Sequence, residues 1–180
     1  MTIRSRASEL FGPTSPIAVQ LCKALKASCR FTRTYAIPAG ALSYDHSHSG
    51  DFVQVANGIN WGASAGSMTA TVPRPRDHAG GSVNVRLFFM FATDQAGTLA
   101  FAVTPMTYDS GNNFETYGSQ ATPTMNAPES LGSVYALSVT IEPGNGWGDG
   151  DWWFFRLSRQ GTFPGAVRLM SMGVDYQAHL

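Results

Sequence analysis

Three groups of residues in this sequence have the types and spacing to do chemistry. Ser64 stands in "GASAG", Gly62 to Gly66, which matches the G-x-S-x-G elbow of serine hydrolases. That elbow needs a strand before it and a helix after it, because the helix start supplies the oxyanion donors. The next residues, "SMTATVP", are strand-like and closed by proline, so Ser64 reads as part of a hairpin turn. Glu142, Asp149 and Asp151 stand near Trp147, Trp152 and Trp153, the material of a glycosidase: a carboxylate pair and aromatic faces for a sugar. Alternation sends Asp149 and Asp151 to one side of a glycine-rich turn beside water, where nothing raises a carboxyl pKa as a general acid requires. Sugar contact without catalysis, through Trp147 and Tyr117, needs no such acid. The third group is His46 and His48, on one side of an extended segment. In one chain the pair is a poor metal site and reads as solvated. On a threefold axis it would become six imidazoles, enough for an octahedral transition metal.

The elements that would position these groups fall into two regimes. Thr14 or Ser15 caps, Pro16 opens, and Ile17, Leu21 and Leu25 recur at i, i+4, i+8, which predicts a short amphipathic helix ending near Ser28. "CRFTRTYAIPAG" then reads as one extended segment, and "ALSYDHSHSGD" as linker. From Phe52 onward the period is two. "FVQVANGINW" offers Val53, Val55, Ile59 and Trp61 to one face, and "SMTATVP" offers Met68, Ala70 and Val72. "SVNVRLFFMF" offers Val83, Val85, Leu87, Phe89 and Phe91, and "GTLAFAVTP" offers Leu99, Phe101 and Val103. "SVYALSVTI", "DWWFFRLSR" and "VRLMSMGVDY" continue the pattern, the last through Met170, Met172, Val174 and Tyr176. Such strands, punctuated by Gly, Pro and Asn, predict an all-β, antiparallel, jelly-roll-like sandwich. The polar stretch from Tyr108 to Leu131 reads as a surface loop.

Bulk composition narrows the function classes. The length, 180 residues, suits one domain with a real core. Lys plus Arg equals Asp plus Glu, so neither a phosphate-tracking surface nor a polybasic membrane patch is expected. No apolar run approaches the ~20 residues of a membrane span. The charged fraction of 13% is half the ~25% of ordinary soluble domains, which points to a surface partly covered by partners. On one helix Cys22 and Cys29 would stand ~10 Å apart, too far to bridge, and they read as reduced thiols. Lys23 and Lys26 interrupt the "IAVQLCKALKASC" stretch that would otherwise resemble a signal peptide.

From His48 to Gln177, the motifs "VPRPRDHAGGSVNVRLFF", "GTLAFAVTPM", "GDGDWWFFRLSRQG" and "VRLMSMGVDY" resemble a module of tailed-phage virion proteins. That module is a jelly-roll-like sandwich of head decoration (cement) proteins and tail-fibre tips. One departure is that the family's acidic residues after the Arg turn are replaced here by "QGTFPGA". The resemblance implies a virion structural protein assembled in the host cytoplasm, without cofactor or enzymatic activity, and with no nucleic-acid or membrane partner.

That resemblance is compatible with two roles. In the preferred one, residues 1–48 are an attachment arm that docks on the major capsid protein or another virion protein through Ile17, Leu21, Leu25, Arg30, Phe31 and Arg33. Residues 49–180 are then the displayed sandwich, expected to fold alone from Ser49. In the alternative, the protein is a tail-fibre or spike tip that contacts host surface glycans. Phe88 and Met90 lie opposite Phe89, and Trp152 and Phe154 lie opposite Trp153. Two-sided apolar strands of this kind predict a covered outer face, read here as a homotrimer interface.

Overall fold

A computed structural model describes residues 30–44, 52–63, 66–108, 120–127, 131–143 and 150–179, with the isolated positions 20 and 24. The expected arm residues Ile17, Leu21 and Leu25, the cysteines, His46, His48, Ser64, Tyr117, Trp147 and Asp149 lie outside the described residues.

Eleven strands are described: β1 (Arg30–Pro38), β2 (Ser43–Tyr44), β3 (Phe52–Val55), β4 (Gly58–Trp61), β5 (Ser67–Pro73), β6 (Val83–Phe91), β7 (Thr98–Tyr108), β8 (Thr124–Asn126), β9 (Tyr135–Ile141), β10 (Trp152–Gly161) and β11 (Val167–His179). They form two sheets in which every pairing is antiparallel. The six-stranded sheet runs β3-β4-β11-β6-β9, with β1 also paired to β11; the five-stranded sheet runs β2-β5-β10-β7-β8. The expected all-β sandwich is therefore the fold.

Alternation explains most of its core. On β6, Val83, Val85, Leu87, Phe89 and Phe91 are all buried while the residues between them are half-buried. On β10, Trp153, Phe155 and Leu157 point into the same layer. Trp61, Phe101 and Phe89 meet there at ring separations of 5.5 and 5.4 Å, within the favoured range for aromatic pairs.

Four expectations need correction. The residues expected as an arm's extended end form β1, paired with β11 from Arg30↔His179 to Pro38↔Ser171. Ile37, Ala39 and Leu42 are buried in the core, so residues 30–44 belong to the sandwich and the boundary at 48/49 does not separate it from an arm. Phe31, Tyr35 and Ile37 keep the period of two, but Arg33 interrupts it. Its parity is inward, but at the sheet's end its side chain is exposed and its Nη1 meets Asp77 Oδ2 at 2.7 Å.

Secondly, "FVQVANGINW" is not one strand but the β3–β4 hairpin turning at Ala56–Asn57, which buries Phe52 and leaves Val53 exposed. Thirdly, a bulge between Leu169 and Ser171 shifts the parity of β11, so Val167 and Leu169 precede Met172 and Val174 in the core while Met170 does not join them. A bulge inserts one unpaired residue and so moves every later side chain to the other face. Finally, the stretch read as a loop contains β8, and Val103 and Ala121 exchange backbone hydrogen bonds at 2.8 and 3.0 Å.

Candidate functional site

The expected trimer patch does not exist as one surface. Phe88 and Met90 lie on β6 of the six-stranded sheet, whereas Trp152 and Phe154 lie on β10 of the five-stranded sheet. Parity places both pairs outward, but from opposite sides of the sandwich. Alternation reports which face a residue takes, not which sheet its strand joins.

The two outer faces differ in chemistry. On the six-stranded sheet, Arg86 Nε and Nη2 each contact an Asp175 oxygen at 2.7 Å, a bidentate pair. Thr34 Oγ1 donates to the same carboxylate at 2.6 Å. Phe88 lies beside Gly173, with the Arg86 guanidinium 5.4 Å from its ring centre. Arg168 donates to Asn60 and Asn57, and Gln177 to Thr32. These contacts all lie within the face.

On the five-stranded sheet, β10 points Trp152, Phe154 and Arg156 outward and Trp153, Phe155 and Leu157 inward. Trp152 is 41% exposed, the one aromatic among the strongly exposed large apolar side chains of the described residues. Phe154 is half-buried between Thr71 of β5 and Met106 of β7, and exposed Arg156 lies between Thr69 and Thr104. The row from Trp152 to Arg156 spans about 13 Å at the rise of a strand. Beyond it Ser67, Ala100 and Ala102 are buried, while Gln160 on the same side of β10 is exposed. Aromatic rings beside hydroxyls and a guanidinium can stack on an apolar ring face and hydrogen-bond its polar rim.

The inward side chains hold this row in place. Trp153 is fully buried and meets the edge of His78 at 4.9 Å and of Tyr176 at 5.8 Å. His78 is itself buried, in the 74–82 connection that is fastened at both sides. Arg74 N donates to Asp151 O at the start of β10, and Ala79 N to Gln177 O of β11. Tyr176 donates its hydroxyl to Asp77 Oδ1 at 3.2 Å. Burial, then the Asp77 charge and that hydrogen bond, raise the Tyr176 phenol pKa, with Arg33 opposing.

Further along β10, Arg159 is 6% exposed. It donates to four backbone carbonyls: Trp61 at 3.0 Å, Gly62, Phe163 at 2.7 Å, and Gly165. Its guanidinium thereby ties the β4–β5 and β10–β11 connections together. Burial lowers its pKa to about 10, so it stays charged at neutral pH. Just beyond, Gly161 has φ +96° and a hypothetical Cβ only 2.1 Å from Thr98 O, a position that admits no side chain.

Neither His78 nor Arg159 stood out in the sequence. His78 carries no local signal beyond its turn. Arg159 does carry one, because it continues the inward parity of Trp153, Phe155 and Leu157. Of the carboxylates considered for catalysis, Glu142 follows β9 of one sheet, Asp151 precedes β10 of the other, and both are exposed. Among the described residues no group of three His, Cys, Asp or Glu side chains converges as a metal site.

No protein-family model matches the sequence, and no curated protein matches it. Solved structures match the fold. The xylan-binding module CBM15 aligns at a TM-score of 0.50 with 12% identity, over 81% of this chain and 97% of that one. The CBM22-1–GH10 modules of Clostridium thermocellum endo-1,4-β-D-xylanase 10B, complexed with xylohexaose, align at 0.50 with 12% identity, over 81% of this chain and 28% of that one. The chain thus has a jelly-roll β-sandwich similar to that of carbohydrate-binding modules. At these identities the likeness is one of fold.

Proposed function

We propose that this protein is a non-catalytic glycan-binding sandwich that holds a carbohydrate chain on the outer face of β5, β10 and β7. The observation that carries the reading is Trp152, exposed on a central strand beside Phe154 while the intervening Trp153 is sealed in the core. A large aromatic kept in water on a rigid sheet is the surface expected of a ligand platform. The similarity of fold to the xylan-binding module CBM15 supports it. Within the tailed-phage resemblance, the reading corresponds to a virion tip that touches host surface glycans. The capsid-decoration role is less well supported, because Arg30, Phe31 and Arg33, assigned there to docking, are committed to the sheet.

The test is a glycan array probed with the parent chain and Trp152→Ala. The parent binds a defined set of glycans, and the variant loses at least about tenfold in affinity, ~1.4 kcal/mol. Its unfolding free energy stays within about 0.5 kcal/mol of the parent, as for other exposed positions. A variant that binds as well as the parent, or a parent that binds no glycan, overturns the assignment.

A further inference from the structure

We propose that the ligand of this face is an acidic glycan, and that Arg156 receives a sugar carboxylate. The inference rests on the glycan-binding reading above and adds the class of sugar. Arg156 is the one charged residue among the described outward positions of the five-stranded sheet. Its cross-strand neighbours are Thr69 and Thr104, and the outward residues before and after it on β10 are Phe154 and Ser158. The nearest acid along the strand, Asp151, precedes β10 by one residue and stands five residues from Arg156, about 16 Å at strand rise.

Four other arginines of the sandwich are occupied. Arg86 is engaged by Asp175, Arg168 by Asn60 and Asn57, Arg33 by Asp77, and Arg159 by four carbonyls. Arg156 is exposed and makes no ion pair with a described residue. A guanidinium presents a planar fork of donors that matches a carboxylate with two parallel hydrogen bonds. Trp152 and Phe154 supply the stacking surface next to it, and the hydroxyl of Thr104 or Thr69 can reach the sugar ring beside the fork. Thr69 donates only a long, 3.5 Å bond to Ser43 O. Beyond Arg156 the outward residues of β10 are half-buried Ser158 and exposed Gln160, neither of them charged, so the guanidinium is a single charge on this face. It would receive one acidic residue of the chain rather than track a run of charges.

Polygalacturonate and its fully methyl-esterified form are the probes, since they share a backbone and differ in charge. The full chain binds the acid at least about tenfold more tightly than the ester, ~1.4 kcal/mol. Arg156→Gln abolishes that preference, so that the variant binds acid and ester with equal affinity. Arg156→Lys restores only part of it, because the point charge remains without the fork. Arg30→Gln, on the opposite outer face, keeps the full preference and so excludes a mere effect of net charge. Dextran sulfate serves as the second anion: binding that exceeds polygalacturonate overturns the carboxylate assignment. Equal affinity of the parent for acid and ester overturns the acidic-sugar proposal while the glycan reading stands. Loss of all glycan binding in Trp152→Ala with the acid preference intact in Arg156→Gln would also sink it. A parent that binds no glycan of any kind removes both.

Discussion

Arg159→Met lowers the stability of the protein by about 3–5 kcal/mol, because several buried carbonyls lose a charged donor at once. The methionine keeps the apolar stem and fills much of the volume, so the loss isolates the guanidinium. Without it the carbonyls of Trp61, Gly62, Phe163 and Gly165 lose their shared donor, and each buried acceptor left unsatisfied costs about 1–3 kcal/mol. Water admitted to the gap recovers part of that, which is why the total stays below the sum. For a domain of this size about 1 kcal/mol moves the midpoint by 2–4 °C, so the expected drop in Tm is roughly 6–20 °C. Arg159→Lys falls between parent and methionine, since an ammonium has three donors for four acceptors. Urea titration followed by tryptophan fluorescence measures this directly. A methionine variant within about 1 kcal/mol of the parent would show that the carbonyls find other partners.

Removing residues 1–48 destroys the fold, whereas removing residues 1–29 leaves a cooperatively folding domain. The longer deletion takes away β1 and with it the nine-residue register against β11. It also strips Ile37 and Leu42 from the core, each worth about 1.5–3 kcal/mol when fully buried. The total approaches the 5–15 kcal/mol that separates most folded domains from unfolding, before the ladder is counted. The deletion leaves Ser171–His179 as an open edge, a template for aggregation. Circular dichroism and size-exclusion chromatography of the two truncations decide the matter. A soluble, folded chain beginning at Ser49 would show that β1 is an addition to the sandwich rather than part of it.

The strands are legible wherever one face is dry. β6 and β10 alternate so strictly that their inward sets can be written from the sequence, and Met68, Ala70 and Val72 of β5 behave the same way. Legibility fails for three physical reasons. Parity is blind to bulges and turns, which cost Met170 its expected core place and moved Val53 into water. It is also blind to sheet membership, so Phe88 and Trp152 fall into one expected patch that the sandwich splits. Side-chain polarity misleads as well: Arg33 hides the inward period of β1, and Arg159 looks like a solvated strand end though it stands in line with Leu157. Of the candidate site, the aromatic run "WWFF" is visible at once. Its outward half suggests a subunit contact, because two-sided apolarity does not say whether a partner protein or a ligand covers it.

The pairing of Arg30 with His179 has a mechanical consequence. The two ends of the β1–β11 ladder are loaded at the same point when the chain is pulled from residues 30 and 179. Force applied there opens the ladder like a zipper, one hydrogen bond at a time, instead of shearing all of them together. β1 also carries Ile37, so its departure uncovers the core beneath and the remainder yields with it. Stretched from those two points, the sandwich should give way at low force in a single step. Pulled between residues 38 and 179, at opposite ends of the same ladder, it should resist far more. Optical-tweezer traces from the two attachment geometries would read the difference as a gap in rupture force.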